Sequence, residues 1–373
     1  MAEAPDAKGP RVERVALLGT GLIGASIGLA LVRDGIDVRG FDADDRSLAR
    51  AVELGAVTTA APDAAGAVDG VDAAVVAVPV GAIASLVVAA IDAGAPVVTD
   101  VGSVKAPVVA AVESLRPDAA RRFVGGHPMA GSEQEGVEGA TADMFVGATW
   151  VLTPTTTTDA RAYTTARALV RRLGAEVVAA SPDHHDILVA LVSHVPQLAA
   201  STLMDVATSR ESEHRTLLRL AAGGFRDMTR VASGQPGIWP DILAANRDAV
   251  LDALDGYVAA LGTVRTLVER SDRDGLLALL ERARAARRSL PASASVAGDL
   301  VELRIPVPDR PGVLAEVTTL ASRLGVNVAD VEIAHSIEGD AGVMVLVVAA
   351  ADADRFESGL HERGYHTSRT VLS

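Results

Sequence analysis

The stretch Val12–Asp42, VERVALLGTGLIGASIGLALVRDGIDVRGFD, decides the fold. Val12–Leu18 is a short apolar run of strand type. Gly19-Thr20-Gly21-Leu22-Ile23-Gly24 then opens a helix that runs to about Arg33. Val38–Phe41 reads as the next strand, and Asp42 closes it. Strand, spaced glycines, helix, strand and acidic residue in this order form a dinucleotide-binding fingerprint. Gly19 permits the tight turn, Gly21 lets backbone approach a pyrophosphate, and Gly24 lets helix and strand pack closely. Leu22 and Ile23 sit at the helix N-terminus, whose free N–H groups and positive dipole favour an anion. Asp42 suits a ribose diol and repels a 2′-phosphate, so NAD is expected over NADP. Arg46 is close enough to weaken that preference.

Working outward, more strand–helix units follow. Ala73–Val78 reads as a strand ending at Pro79, and Pro96–Asp100 as another, running into Val101-Gly102-Ser103-Val104-Lys105. In open parallel sheets ligands bind beyond the carboxyl ends of strands, which places Val78, Pro79 and Ser103 at the crevice. Ser103 also suits the N-cap of a helix starting near Val104. Phe123–Gly125 is a short strand leading into Phe123–Met144, FVGGHPMAGSEQEGVEGATADM, a stretch without helical or strand periodicity and therefore expected as a loop. It carries His127, the candidate for the chemistry, and Glu133. Thr149–Leu152, helix Ala160–Arg172 and Glu176–Val178 complete an α/β domain of Rossmann type over residues 12–180.

Ser181-Pro182 is a helix start, and residues 181–290 have helical apolar spacing throughout. Val250, Leu254, Tyr257, Val258, Leu261, Val264 and Leu267 trace one face of a long helix, suited to a core or a homodimer interface. Two segments depart from plain helix surface. Ser193-His194-Val195-Pro196-Gln197 places a histidine and a proline in an apolar run, where the proline kinks or ends the helix. Gly223–Arg230, GGFRDMTR, lies with His214, Arg215, Arg219, Arg226, Arg230 and Arg247 in a basic island, and Trp239 follows. Residues 291–298 read as a linker. Residues 299–373 carry a βαββαβ pattern, a small ferredoxin-like α+β unit.

The chain has 373 residues, more than a single core ordinarily supports, which agrees with several domains. A net charge of −14 argues against nonspecific nucleic-acid or membrane-surface binding, so an anionic substrate needs a local arginine cluster. The absence of cysteine excludes disulfides, thiolate zinc sites and cysteine nucleophiles, and no metal is expected. The first residues lack a signal-peptide core, and the apolar run Ala73–Ile91 is broken by Pro79 and Gly81. A cytoplasmic protein is the expectation.

The motifs GTGLIGASIGLAL, TDVGSVK, GGHPMAGSE, SHVPQ and GGFRDMTRVASGQPGIW together resemble the prephenate and arogenate dehydrogenases of tyrosine biosynthesis. The C-terminal DRPGVLAEV and GVNVADVEI resemble an ACT domain, an amino-acid-sensing module. The resemblance implies an oxidative decarboxylation in which NAD takes a hydride, carbon dioxide leaves and the ring becomes aromatic. It implies that His127 accepts the hydroxyl proton, Ser103 orients that pair and Arg230 grips the ring carboxylate. His194 and Trp239 would line the side-chain end of the pocket, with Glu133 gating or orienting the site. Gln197 stands where many relatives have histidine, and Arg226 and Arg247 are the remaining basic candidates for substrate contact. A tyrosine effector would be framed by Asp309, Gly312, Val313, Leu314 and Asn327. Histidine suits proton transfer near neutral pH, and a guanidinium fork suits a carboxylate. No acidic residue lies between Thr216 and Gly224 to meet an amino group, which favours prephenate over arogenate. The rival readings are a hydroxy-acid dehydrogenase using Lys105 and a nucleotide-responsive sensor without catalysis.

Overall fold

The computed structural model describes residues 12–130, 136–209, 223–288, 300–308, 310–335 and 341–372. Glu133, Asp309, His214, Arg215, Arg219, the stretch from 216 to 222 and the linker 291–298 lie outside the described residues. The chain divides into two compact units, residues 1–262 and 263–373.

The first unit is built on an eight-stranded sheet. Its elements begin β1 (Arg14–Leu18), α1 (Leu22–Arg33), β2 (Asp37–Phe41), α2 (Asp45–Glu53), β3 (Thr59–Ala60) and α3 (Ala64–Val68). They continue β4 (Ala73–Val76), α4 (Val80–Asp92), β5 (Val98–Asp100), α5 (Ala106–Leu115), α6 (Pro117–Ala120) and β6 (Phe123–Pro128). Then come β7 (Thr149–Thr153), α7 (Ala160–Arg172) and β8 (Glu176–Ala179). The strand order is β3-β2-β1-β4-β5-β6-β7-β8. Pairing is parallel from β3 through β6, antiparallel between β6 and β7, and parallel again to β8. The order reverses between β1 and β4, which opens a crevice beyond their carboxyl ends. Apolar cores cover both sheet faces. One gathers Leu17, Ile27, Leu31, Trp150 and Leu169, and the other Leu18, Val76, Ile83, Val87 and Val112.

A helical region follows in the same unit. Ser181 accepts from the His184 N–H as N-cap of α8 (Pro182–Val189), with Pro182 in its first turn. A π-helical turn, Ala190–His194, joins α8 to α9 (Val195–Thr208). Pro196 lacks an N–H and its ring crowds the carbonyl one turn back. The wider turn accommodates this without breaking the rod, so the expected kink is replaced by a π-turn. Pro182–Thr208 is, among the described residues, the helix long and apolar enough to cross a membrane by length and composition. It nevertheless buries His185, Asp186 and His194. Helices α10 (Gly223–Thr229), α11 (Trp239–Ala245) and the part of α12 (Arg247–Glu269) up to residue 262 complete the region. α8 packs on α5 and β7, and α11 packs on α4.

In the second unit α13 (Arg273–Arg288) precedes β9 (Leu300–Pro308), α14 (Val313–Arg323), β10 (Val328–His335), β11 (Ala341–Ala349), α15 (Ala350–His361) and β12 (Ser368–Leu372). The antiparallel order β10-β11-β9-β12 is that of a ferredoxin-like βαββαβ fold. Val301, Leu303, Ile305 and Val307 alternate inward along β9 against Val317, Leu320 and Phe356.

Candidate active site

The glycine turn has the shape the spacing predicts. Gly19 has φ +100°, and a Cβ there would lie 2.2 Å from the Ala77 carbonyl oxygen. A Cβ on Gly24 would lie 2.1 Å from the Gly19 oxygen, whereas one on Gly21 would meet nothing within 4 Å. Two glycines are therefore fixed by sterics, and the third leaves open space over the N-terminus of α1. No acidic residue occupies the first turn of that helix. Leu22 and Ile23 are half-buried there, and half-buried Val78, past the carboxyl end of β4, would lie 3.0 Å from a Cβ on Gly19. Exposed Pro79 caps α4. Asp42 Oδ2 accepts from the Thr20 N–H at 2.6 Å and the Thr20 hydroxyl at 3.0 Å, while Oδ1 accepts from the Asp44 N–H at 2.9 Å. A carboxylate has about four acceptor positions, so one remains for a ribose hydroxyl. The donors and the open space suit a dinucleotide. Arg46 is exposed on the first turn of α2.

His127 is not in a loop. It is the fifth residue of β6, paired with Val151 of β7. The reason is tertiary. Backbone pairing of β5 with β6 covers Val98–Phe123 and Thr99–Val124, and side chains then take over. Asp100 Oδ1 accepts from the Gly126 N–H at 2.9 Å, and Lys105 Nζ donates to the Gly126 carbonyl at 2.8 Å. Asp100 and Lys105 pair with each other, both fully buried. Bare glycines make this approach possible. A Cβ on Gly126 would lie 2.5 Å from the Asp100 carbonyl oxygen, and one on Gly125 2.4 Å from Thr153 Oγ1. With two of its three N–H donors engaged in this clamp and no exposure, Lys105 is walled off from solvent, which argues against the reading of it as the catalytic group.

Sequence reasoning missed the two residues that back His127. His127 Nδ1 lies 2.8 Å from His185 Nε2, and His185 Nδ1 lies 2.7 Å from Asp186 Oδ1. Asp186 also accepts from the Lys105 N–H and the Ala106 N–H, each at 2.8 Å. It thereby caps α5 across the fold. Ser103 does not serve as that cap; it is half-buried in the loop between β5 and α5, because Lys105 is the N-cap residue and a carboxylate from α8 takes the capping role. His185 and Asp186 could have been suspected from their spacing with Val189, Ala190 and His194, which puts polar groups on the buried stripe of a helix.

His194 is buried at the end of the π-turn, 3.3 Å from Asn246 Nδ2 through Nδ1, and edge-on to half-buried Trp239 with ring centroids 6.0 Å apart. Asn246 also donates to the Asp186 carbonyl at 2.9 Å. Gln197, one turn further on, is half-buried and lies 3.4 Å from the Ser201 hydroxyl. Arg230 opens a short turn that packs on α9. Arg226 is exposed on α10, and exposed Arg247 bonds Asp248 at 2.9 Å, so neither joins the buried cluster.

Burial, reinforced by His185, Lys105 and His194, holds the His127 imidazole well below the usual histidine range. Burial also lowers His194, against the pull of Asp186. His127 therefore presents a neutral imidazole near pH 7, the form able to take a proton. Replacing Lys105 by methionine leaves the Asp100 carboxylate buried and unpaired. Urea denaturation should show a loss of about 3–5 kcal/mol.

Comparisons with known proteins agree with this geometry. Residues 27–179 match the family model for the prephenate dehydrogenase nucleotide-binding domain, and residues 181–282 its dimerization domain. Residues 303–362 match the ACT domain of acetohydroxyacid-synthase-small-subunit type, described as "AHAS small subunit-like". The prephenate dehydrogenase of Bacillus subtilis is 33% identical over 338 residues, covering 89% of this chain and 91% of that protein. The cyclohexadienyl dehydrogenase of Zymomonas mobilis is 34% identical, covering 74% of this chain and 96% of that protein. The Aquifex aeolicus prephenate dehydrogenase, solved with hydroxyphenyl propionate and NAD+, superposes with a TM-score of 0.69 at 30% identity, covering 75% of this chain and 99% of that one. Matched by both prephenate dehydrogenase family models in order, and 33% identical to a prephenate dehydrogenase over 89% of its length, the chain belongs to the prephenate dehydrogenase family.

Proposed function

We propose that this chain is a cytoplasmic, NAD-dependent prephenate dehydrogenase, converting prephenate to 4-hydroxyphenylpyruvate, with arogenate as the alternative substrate. The observation that carries the reading is His127 itself. It is held by β6 at the carboxyl edge of the sheet, buried and neutral, with its Nδ1 engaged and no protein partner for Nε2 among the described residues. Bound NAD supplies the hydride acceptor for the hydroxyl-bearing ring carbon. His127 takes the hydroxyl proton as that carbon becomes a carbonyl-like centre; the ring carboxylate leaves as carbon dioxide, its bonding electrons complete the aromatic ring, and the phenolate oxygen takes the proton back to give the phenol. Ser103 orients the hydroxyl–imidazole pair, and Arg230 holds the ring carboxylate. His194, Trp239 and Gln197 receive the side-chain end, with Arg226, Arg247 and Glu133 as outer contacts. Gly19, Gly21, Leu22, Ile23, Gly24, Asp42, Arg46, Val78 and Pro79 form the cofactor side.

The helical region leaves Ile187, Leu188, Leu191, Val192, Val258 and Leu261 exposed. Apolar surface of this extent is covered by a second copy in a homodimer. The C-terminal module is read as a tyrosine sensor. Gly312 adopts φ +95° at the start of α14, followed by Val313 in the core and exposed Leu314, while exposed Asn327 lies past the other end of that helix, just before β10. Asn327→Ala should raise the tyrosine concentration needed for inhibition about tenfold, a lost hydrogen bond or two, without changing uninhibited turnover.

Absorbance at 340 nm with NAD or NADP and prephenate or arogenate tests the reaction. NAD with prephenate should give the highest kcat/KM, and no turnover with either substrate would reject the assignment. His127→Asn should lower kcat about 10²–10⁴-fold while NAD affinity is kept. Because the imidazole sits well below its usual range, the active base form is already complete at pH 7. The kcat/KM of the wild type should be flat from there upward and fall only in acid.

A further inference from the structure

We propose that His185 and Asp186 act as positioning residues that fix the tautomer of His127 and take over the charge it acquires. The proposal rests on the reading of His127 as proton acceptor.

The order of hydrogen bonds dictates the tautomers. A carboxylate only accepts, so Nδ1 of His185, 2.7 Å from Asp186 Oδ1, carries a hydrogen. With His185 taken as a neutral imidazole, which has one N–H, its Nε2 is an acceptor. His127 Nδ1 faces it at 2.8 Å and must be the donor. The bare nitrogen of His127 is then Nε2, the atom without a protein partner among the described residues. An isolated histidine in water prefers the opposite tautomer, so the fold imposes this one.

Asp186 is itself immobile, because its two oxygens receive the Lys105 and Ala106 N–H groups at the start of α5. That turn also holds the Lys105 ammonium, which clamps the strand carrying His127. One element thus sets both the position of the ring and its protonation pattern. Among the described residues, the charged and titratable groups around His127 are Lys105 from the start of α5, Asp100 from β5, His185 and Asp186 from α8, and His194 from the π-turn. Asp100 is committed to Lys105, so Asp186 is the carboxylate that His127 reaches, through the ring of His185. When a proton binds His127 Nε2, the Nδ1 proton lies on the bond to His185 Nε2. Its transfer there leaves His127 neutral and an imidazolium at His185 against Asp186. The new positive charge then lies next to a carboxylate instead of next to Lys105.

Full-length protein labelled with ¹⁵N-histidine reports the tautomer through the ring-nitrogen shifts, read beside kcat and NAD affinity. In the wild type His127 should show a protonated Nδ1 and a bare Nε2. His185→Met removes the acceptor. It should move the His127 proton to Nε2 and lower kcat about 100-fold with NAD affinity unchanged, an effect within the range for general-base catalysis. His185→Gln offers a carbonyl to the same N–H and should recover kcat to within about tenfold of wild type. A protonated Nε2 in the wild type, or wild-type turnover with an unchanged tautomer in His185→Met, would overturn the proposal. Should the methionine variant not fold, the wild-type shifts and the glutamine variant still decide. Retained activity in His127→Asn would instead defeat the underlying reading of His127, a result separate from these.

Discussion

The buried Asp100–Lys105 pair is the contact on which the site depends. Removing two charges from water is expensive, by several kcal/mol for each ion, and is offset only when geometry and additional hydrogen bonds satisfy both groups. Here they are satisfied by the backbone of the strand that bears His127. Asp100 receives the Gly126 and Gly102 N–H groups, and Lys105 donates to the Gly126 carbonyl. The pair continues the β5–β6 ladder in side-chain form at the point where β6 turns to pair antiparallel with β7. Both glycines before His127 follow from this, since a side chain at either position would collide with the clamp or its surroundings.

From that anchor the electrostatics of the site follow. A lysine cation near a buried imidazole disfavours a second positive charge, which keeps His127 ready to accept a proton. Asp186 lies on the other side, reached through His185, and ties α8 to the start of α5. The helical region is therefore joined to the sheet through the same residues that prepare the base. Asn246 extends the connection to His194 and so to Trp239.

What the sequence made legible is what sterics and local pattern control. Gly19, Gly24 and Asp42 could be assigned because a dinucleotide turn leaves few alternatives. The helix Ala160–Arg172 has the limits read from the sequence. His127 was legible as a residue type but not as part of a strand, because Gly-Gly-His-Pro has no alternating pattern; it pairs with β7 on one edge and is held on the other by Asp100 and Lys105, 26 and 21 residues before Gly126. Ser103 looked like a cap because the actual capping group, Asp186, lies 81 residues beyond the Lys105 N–H it accepts from. His185 and Asp186 went unread, although their spacing with Val189, Ala190 and His194 puts them on the buried stripe of the helix.

The most direct test is a structure of this protein with NAD and 4-hydroxyphenylpyruvate bound. The account predicts the phenolic oxygen within hydrogen-bond reach of His127 Nε2, with His127 Nδ1 still on His185 and the nicotinamide ring facing the carbon that bears that oxygen. A phenolic oxygen bound elsewhere, with His127 Nε2 turned to solvent, would contradict it.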